Sequence, residues 1–460
     1  EEPGEEPGEE PGEEPGEEPG EEPGEEPGEE PGEEPGEEPG EEPGEEPGEE
    51  PGSGGPGGGT PAPQPGDTGD QTGQSDDRIE VVGGNIRIRA SGEDVPIVIG
   101  GQAVGSALEN VEDGVLNIDI ILPRGAKQAA TIELSVQDLV SPDSNAEYIR
   151  VNLGGVTVMI SVQDMDGILT SESKTLTLSI EKLGLDDVPE SIRDQLRNFP
   201  IYSFSLLVDG EDAGLFNGAV TVSMDYTLRL GEEPHQIIVY YIDESGQLIV
   251  VRNSKYDSAQ NKIVFFPPHF SVYAGAHVPV MFRDMDQAAW AAKIVEALAA
   301  RGVVRGVGDG LFEPNRNITR AEFLQMLMHA LDLVRPGERS SFADVIPGEW
   351  YYDAVASAEA LGIAQGKGDG TFGVRDLITR EDMAVLTYRA ALAAGMSFES
   401  SFARNDFSDF DQVSAYARQA IRDLQGAGLI DGVGDGRFVP KGYATRAAAA
   451  SILYKLLGLN

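Results

Sequence analysis

One pattern of residues recurs three times in the last third of this 460-residue chain. Phe282-Arg283-Asp284, Phe342-Ala343-Asp344 and Phe407-Ser408-Asp409 each open a unit, and each unit goes on to a Gly-x-Gly-Asp-Gly-x-Phe loop, at 306–312, 366–372 and 432–438. Each then reaches a Thr-Arg pair heading an apolar stretch: Thr319-Arg320, Thr379-Arg380 and Thr445-Arg446. Loop and pair advance together, by 60 and then by 66 positions, so the copies agree in register as well as in composition. Repetition at such a period means one supersecondary unit packed on copies of itself, because a single unit cannot bury its own apolar face.

The unit reads as helix, glycine-rich loop, helix. Trp290, Ile294, Ala297 and Leu298 follow three- and four-residue spacing up to a C-cap glycine, Gly302. Thr319 and Glu322 form a capping box at the head of the second helix, each able to satisfy an orphan backbone N–H. Thr379 and Asp382 nearly repeat it, while Thr445 has Ala448 in the acid's place. The loops are not dinucleotide fingerprints, since they follow a helix instead of a strand. With one Asp each they are not EF-hands either. Their glycines permit positive φ, and Phe312, Phe372 and Phe438 are expected to plug a core.

Ahead of the repeats, residues 79–278 alternate with period two. Ile86 to Arg89, Gly114 to Ile120, Thr131 to Val136 and Lys174 to Ile180 read as half-buried strands. Gln236–Tyr241 and Gln247–Val251 read as a hairpin turning at Asp243-Glu244-Ser245-Gly246, and a second turns near Asp257–Asn261. The expectation is a mainly-β sandwich region, either one unit or two domains, 79–185 and 186–278. The break would fall where Val188 to Ile192 looks like a short helical connector.

Residues 1–52 are thirteen copies of Glu-Glu-Pro-Gly, and Gly, Pro, Gln, Thr and Asp dominate the stretch to Asp77. Neither segment has apolar side chains enough to offset ordering entropy, so 1–78 is expected to be a disordered, acidic spacer. At about 3.1 Å per residue, 52 polyproline-like residues would reach roughly 160 Å. The tail holds 26 of the 81 acids; the remaining 55, against 33 Lys plus Arg, leave the other 408 residues at −22. Such a surface argues against nucleic acid or an anionic bilayer as partner. No cysteine is present, which rules out disulfides and thiolate metal sites. No apolar run approaches the roughly twenty residues of a spanning helix, so no membrane insertion is expected. The chain does not begin with Met, and the expectation is a processed chain or the C-terminal part of something longer.

Catalytic patterns are absent around His235, His269, His277 and His329, and no metal or other cofactor is called for. The chain is therefore not expected to be an enzyme.

Phe-x-Asp, an aromatic about eight residues on (Trp290, Trp350, and Tyr416 one place later), the glycine loop and Ile318-Thr319-Arg320-Ala321-Glu322 together closely resemble the S-layer homology (SLH) repeat. The resemblance covers 280–339, 340–403 and 404–460. It implies an all-α, pseudo-threefold trimer assembled within one chain. Grooves between its repeats would hold a secondary cell-wall polysaccharide, often one bearing a ketal-linked pyruvate. It also implies an extracellular, wall-anchored or S-layer protein of Gram-positive type. Arg320, Arg380 and Arg446 are then the expected polysaccharide contacts, since a guanidinium fork at a helix N-terminus suits a carboxylate. The alternative is a structural pair with an acid of the next repeat. Mutating Arg320 and Arg380 to alanine is expected to release the wall and leave the fold intact. The third repeat lacks both the acid and the leading Ile, so the Arg446 groove is expected to be degenerate. Trp290 and Trp350 either offer flat faces to sugar rings or join the core, as large aromatics at helical spacing usually do.

The β region resembles the module often found ahead of SLH repeats. Through His269-Phe270-Ser271 it is also similar to self-cleaving ZU5-type domains, in which His269 would serve as base for Ser271 Oγ. A wall-bound glycan-processing enzyme and a structural S-layer subunit complete the alternatives.

Overall fold

The computed structural model describes residues 78–90, 97–141, 144–165, 168–170, 172–216, 218–398 and 407–459. The acidic spacer expected over 1–78 lies outside them, apart from Arg78.

Alternation of buried and exposed side chains gives two eight-stranded sheets in the β region. One sheet runs Ile79–Val82, Asn85–Arg89, Val115–Ile121, Tyr148–Leu153, Val156–Ser161, Val220–Asp225, Lys262–Phe265, Lys255–Asp257 in spatial order. The other runs Leu248–Val251, Ile237–Ile242, Val272–His277, Ile201–Val208, Thr175–Lys182, Ala129–Ser135, Ile97–Ile99, with Glu211–Asp212 against Ile201–Val208. Their inner faces share one core that includes Ile88, Ile118, Val151, Leu178, Phe204, Val222 and Phe265.

The two-domain division is not what forms. Thr175–Lys182 pairs antiparallel with Ile201–Val208 from Leu176↔Val208 to Lys182↔Tyr202, across the supposed break. Val156–Ser161 likewise pairs with Val220–Asp225. Residues 79–277 are one double-sheet unit. The connector exists as a 3-10 turn, Glu190–Ile192, and a short helix, Arg193–Leu196, and it packs on the sheet through Val188, Ile192 and Leu196. Both expected hairpins form, Ile237–Ile242 with Leu248–Val251 and Lys255–Asp257 with Lys262–Phe265. Asp243 Oδ1 accepts from the Ser245 and Gln247 amides and holds the first turn.

In the C-terminal third each unit supplies two principal helices: Ala292–Ala300 and Arg320–Ala330, Tyr352–Ala360 and Arg380–Ala393, Arg418–Gly426 and Arg446–Leu456. A single apolar core runs through all of them. Phe312, Phe372 and Phe438 are at most 1% exposed, with Phe282, Phe342 and Phe407 against them at centroid distances of 5.5, 5.9 and 5.2 Å. The first loop glycine permits this approach: a Cβ on Gly306 or Gly366 would stand 2.8 or 2.6 Å from the neighbouring Phe ring.

The Asp of each Phe-x-Asp fastens its own loop. Asp284 accepts from the Phe312 and Glu313 amides, Asp344 from Phe372, Gly373 and Val374, and Asp409 from Phe438 and Val439. Burial alone would push the Asp284 and Asp344 carboxyls up, but the loop amides outweigh it and hold both below the ordinary carboxylate value. A carboxylate depressed in the folded state contributes stability above its unfolded pKa and loses it as pH falls through the lower folded value. Acid melting is therefore expected to set in below about pH 4. Asp344→Asn should lower the melting temperature at pH 7 and flatten its pH dependence in this range, read by circular dichroism.

Candidate binding clefts

The three units close on one another through their backbone. Ile378 N donates to Ile318 O, Ala444 N to Ile378 O and Ile318 N to Ala444 O, each at 3.0 Å, which makes a closed cycle. Ala444 fills the third place as well as an isoleucine would, because the amide and carbonyl make the bond.

The arginines follow the same cyclic rule. Arg320 Nε donates to Phe372 O (3.0 Å), Arg380 Nε to Phe438 O (2.7 Å) and Arg446 Nε to Phe312 O (2.8 Å), always into the next unit's glycine loop. Each guanidinium also lies over the ring of that phenylalanine, 4.9, 4.8 and 4.5 Å from its centroid. Arg380 Nη2 adds Asp431 O and Arg446 Nη2 adds Arg305 O, both at 2.9 Å or less. Arg320 Nη1 reaches Asp382 Oδ2 at 3.2 Å. Burial pulls the Arg380 and Arg446 pKa values down from the ordinary arginine value. The arginines thus bolt neighbouring units together, chiefly through carbonyls where an acid partner was the expected alternative. Double alanine substitution cannot be presumed to leave the fold intact.

The same arginines line three equivalent clefts. The Arg320 cleft, about 410 Å³, is completed by Gln365, Lys367, Asp382, Arg389 and Tyr416. Arg446, Arg305, Glu322, Gln325, His329 and Trp350 line one of about 330 Å³. Arg380, Asp431, Ala448, Ser451, Lys455 and Trp290 line one of about 270 Å³. Each takes its arginine from one unit, its loop and second helix from the next, and its aromatic from the third. Cations outnumber acids in all three, in a chain that is acidic elsewhere.

Trp290 and Trp350 are not core residues. They are 62% and 56% exposed at the cleft mouths. Tyr416, 55% exposed, holds the equivalent place and was missed as a site residue, although its position in the repeat marks it. Its hydroxyl lies within hydrogen-bond distance of Asp382 Oδ1 (2.8 Å) and Glu381 Oε1 (3.0 Å), either of which can accept its single proton, and this holds the ring over the Arg320 cleft. Burial and these two carboxylates push its pKa well up.

The expected degeneracy is displaced. The Arg446 cleft draws its acid, Glu322, from the first unit, and is fully lined. Ala448 falls in the Arg380 cleft instead. Thr445 still caps its helix by accepting from Ala448 N at 3.2 Å, and Thr379 does the same with Asp382 N. Only the Thr319–Glu322 pair is a reciprocal box among these three, because Asp382 turns to Arg320 and Tyr416.

His269 and Ser271 do not form a base–nucleophile pair. His269 Nδ1 lies 3.1 Å from Phe270 O, and Ser271 Oγ donates to Ile242 O at 3.3 Å. Among the described residues no cluster of His, Asp or Glu could hold a metal, and no helix is long and apolar enough to cross a membrane.

Residues 282–324, 341–384 and 406–450 match the S-layer homology domain family. Similar proteins include an amylopullulanase of Thermoanaerobacterium thermosulfurigenes, 31% identical over 302 residues (64% of this chain, 16% of that protein). Exoglucanase XynX of Acetivibrio thermocellus is 35% identical over 178 residues (39% and 16%), and the S-layer protein sap of Bacillus anthracis 30% over 175 (38% and 21%). The chain spans less than a quarter of the length of each of these relatives.

Proposed function

We propose that the three S-layer homology domains of this cell-surface protein anchor it non-covalently to the bacterial cell wall by binding a secondary cell-wall polysaccharide that carries pyruvate ketals. The supporting observation is the threefold recurrence of one cleft, with a guanidinium at its base and an exposed aromatic face at its mouth. Fork-shaped donors suit a carboxylate and flat rings suit the apolar face of a sugar. The local positive charge offsets the repulsion an acidic protein would feel from an anionic polymer. The spacer would hold whatever lies beyond it away from the wall.

A second reading is favoured by the amylopullulanase alignment, which is too long to be confined to the three domains. In it this chain is the anchoring part of a longer, glycan-processing protein, with catalysis residing outside this chain.

Co-sedimentation with purified wall sacculi tests the anchoring. The wild-type chain is expected to pellet, and Trp290→Ala, Trp350→Ala and Tyr416→Ala each to weaken binding about three- to tenfold. The triple variant should stay in the supernatant with its melting temperature nearly unchanged, because these rings are mostly exposed. Pelleting of the triple variant at the wild-type level would refute the site.

A further inference from the structure

Because each cleft takes its second helix from the following unit, the third residue of that helix faces a foreign arginine. For Arg320 it is Asp382, 3.2 Å from Nη1. For Arg446 it is Glu322, with Oε1 at 4.0 Å from Nη1. For Arg380 the place is held by Ala448, whose side chain is a methyl group. Arg380 Nε and Nη2 are occupied by the Phe438 and Asp431 carbonyls, and no hydrogen bond reaches Nη1 among the described residues. The nearest acids are engaged already: Asp409 with the Phe438 and Val439 amides, and the Asp431 carboxylate with Lys455.

An anion entering the Arg320 cleft must therefore sit beside a carboxylate bonded to the guanidinium, and one entering the Arg446 cleft beside Glu322, 4.0 Å from Nη1 and itself paired with Arg316; like charges so placed repel, most strongly in the first. In the Arg380 cleft that position is empty of charge, Trp290 stands exposed at the mouth, and Ser451 offers a hydroxyl. We propose that the Arg380 cleft is the principal carboxylate-binding groove of the three, and that Ala448 sets this preference by leaving the guanidinium without a carboxylate in direct contact. The proposal rests on the wall-polymer reading and adds to it which groove discriminates for the acidic sugar, and by what residue.

The test uses the whole chain and a methyl hexopyranoside carrying a 4,6-linked pyruvate ketal, titrated calorimetrically, with sacculus binding measured in parallel. Ala448→Glu completes a capping box with Thr445, as Glu322 does with Thr319, so this variant should melt higher than wild type. It should nonetheless bind the ketal about tenfold more weakly, because the new carboxylate faces Arg380. Ala448→Gln, nearly the same in size and also able to cap, should bind within about threefold of wild type. Equal losses in Glu and Gln variants would make the effect steric and overturn the proposal, as would a Glu variant that binds like wild type. Failure of the wild-type chain to bind either ketal or sacculi would instead overturn the wall-polymer reading, and this proposal with it.

Discussion

Arg446→Ala is expected to destabilise the helical third by about 3 kcal/mol, far more than an ordinary surface arginine would. The residue is 5% exposed and its side chain reaches back from the last unit to the first, where Nε and Nη2 bond the Phe312 and Arg305 carbonyls. Alanine leaves both carbonyls short of a donor, removes the cation from the Phe312 ring and opens the joint that closes the cycle. For a region of this size the melting temperature should fall by roughly 6–12 °C. Lysine at the same position keeps the charge but not the planar fork, so Arg446→Lys should recover only part of the loss. Thermal unfolding followed at 222 nm decides it: a shift within about 0.5 kcal/mol of wild type would mean that the arginines do not hold the units together. The same result bears on function. Loss of wall binding in an arginine-to-alanine variant does not identify a ligand contact unless its melting curve is unchanged, which is why the exposed aromatics are the cleaner probes.

The repeat was legible because its parts recur in fixed register, so the Phe-x-Asp, the glycine loop and the capped helix each form where the pattern puts them. What the register does not disclose is which copy serves which. Arg446 and Ala448 are two residues apart, yet they line different clefts, because two residues of a helix turn the side chain by about 200° and so face it to the opposite neighbour. Reasoning within a single copy therefore assigned the missing acid to the wrong groove. Whether Trp290 and Trp350 face a sugar or the core stayed open for a related reason: helical spacing shows that a residue shares a stripe, not whether a third unit covers it. In the β region, period-two alternation located the strands but not their partners. Asn85–Arg89 pairs in parallel with Val115–Ile121, and that strand in parallel with Tyr148–Leu153, pairings set by contacts distant in sequence. The intervening helix, Gly101–Leu108, carries glycines at 101 and 105, which argue against helix locally. Only its packing of Val104, Ala107 and Leu108 into the sandwich core makes it one.

Arg301→Met should separate the β region from the helical region, an effect that nothing in the repeat pattern foretells. Arg301 sits just past the Ala292–Ala300 helix, is 1% exposed, and meets no carboxylate among the described residues. Its guanidinium is spent entirely on carbonyls: Nε and Nη2 on Ser254 O (3.2 and 2.6 Å), Nη1 on His235 O (3.0 Å) and Ala297 O (2.8 Å), Nη2 also on Ile237 O (3.0 Å). Burial lowers its pKa to about 10, so it remains charged at neutral pH and the carbonyl dipoles carry the compensation. Three of the four acceptor residues belong to the β region, where Ser254 is itself fully buried and braced by Val239 N and Val251 O. Around this bolt lie a small apolar cluster of Ile238, Ala276 and Ala300, the His235–Glu296 contact at 2.9 Å, and Gln236 Nε2 donating to Val280 O at 2.8 Å. Methionine fills comparable volume but supplies no donor. It would leave the His235, Ile237 and Ser254 carbonyls buried and unpaired, at a cost of about 3–5 kcal/mol concentrated at one joint. Calorimetry is expected to show one unfolding transition for the wild-type chain and two for Arg301→Met, with amide exchange accelerated around Ile237 and Ser254 in the variant. A single, undisplaced transition in Arg301→Met would mean that the two regions are joined by the chain and the apolar cluster alone. A divided one would mean that this one side chain couples the two regions, so that the β region is held rigidly on the helical region.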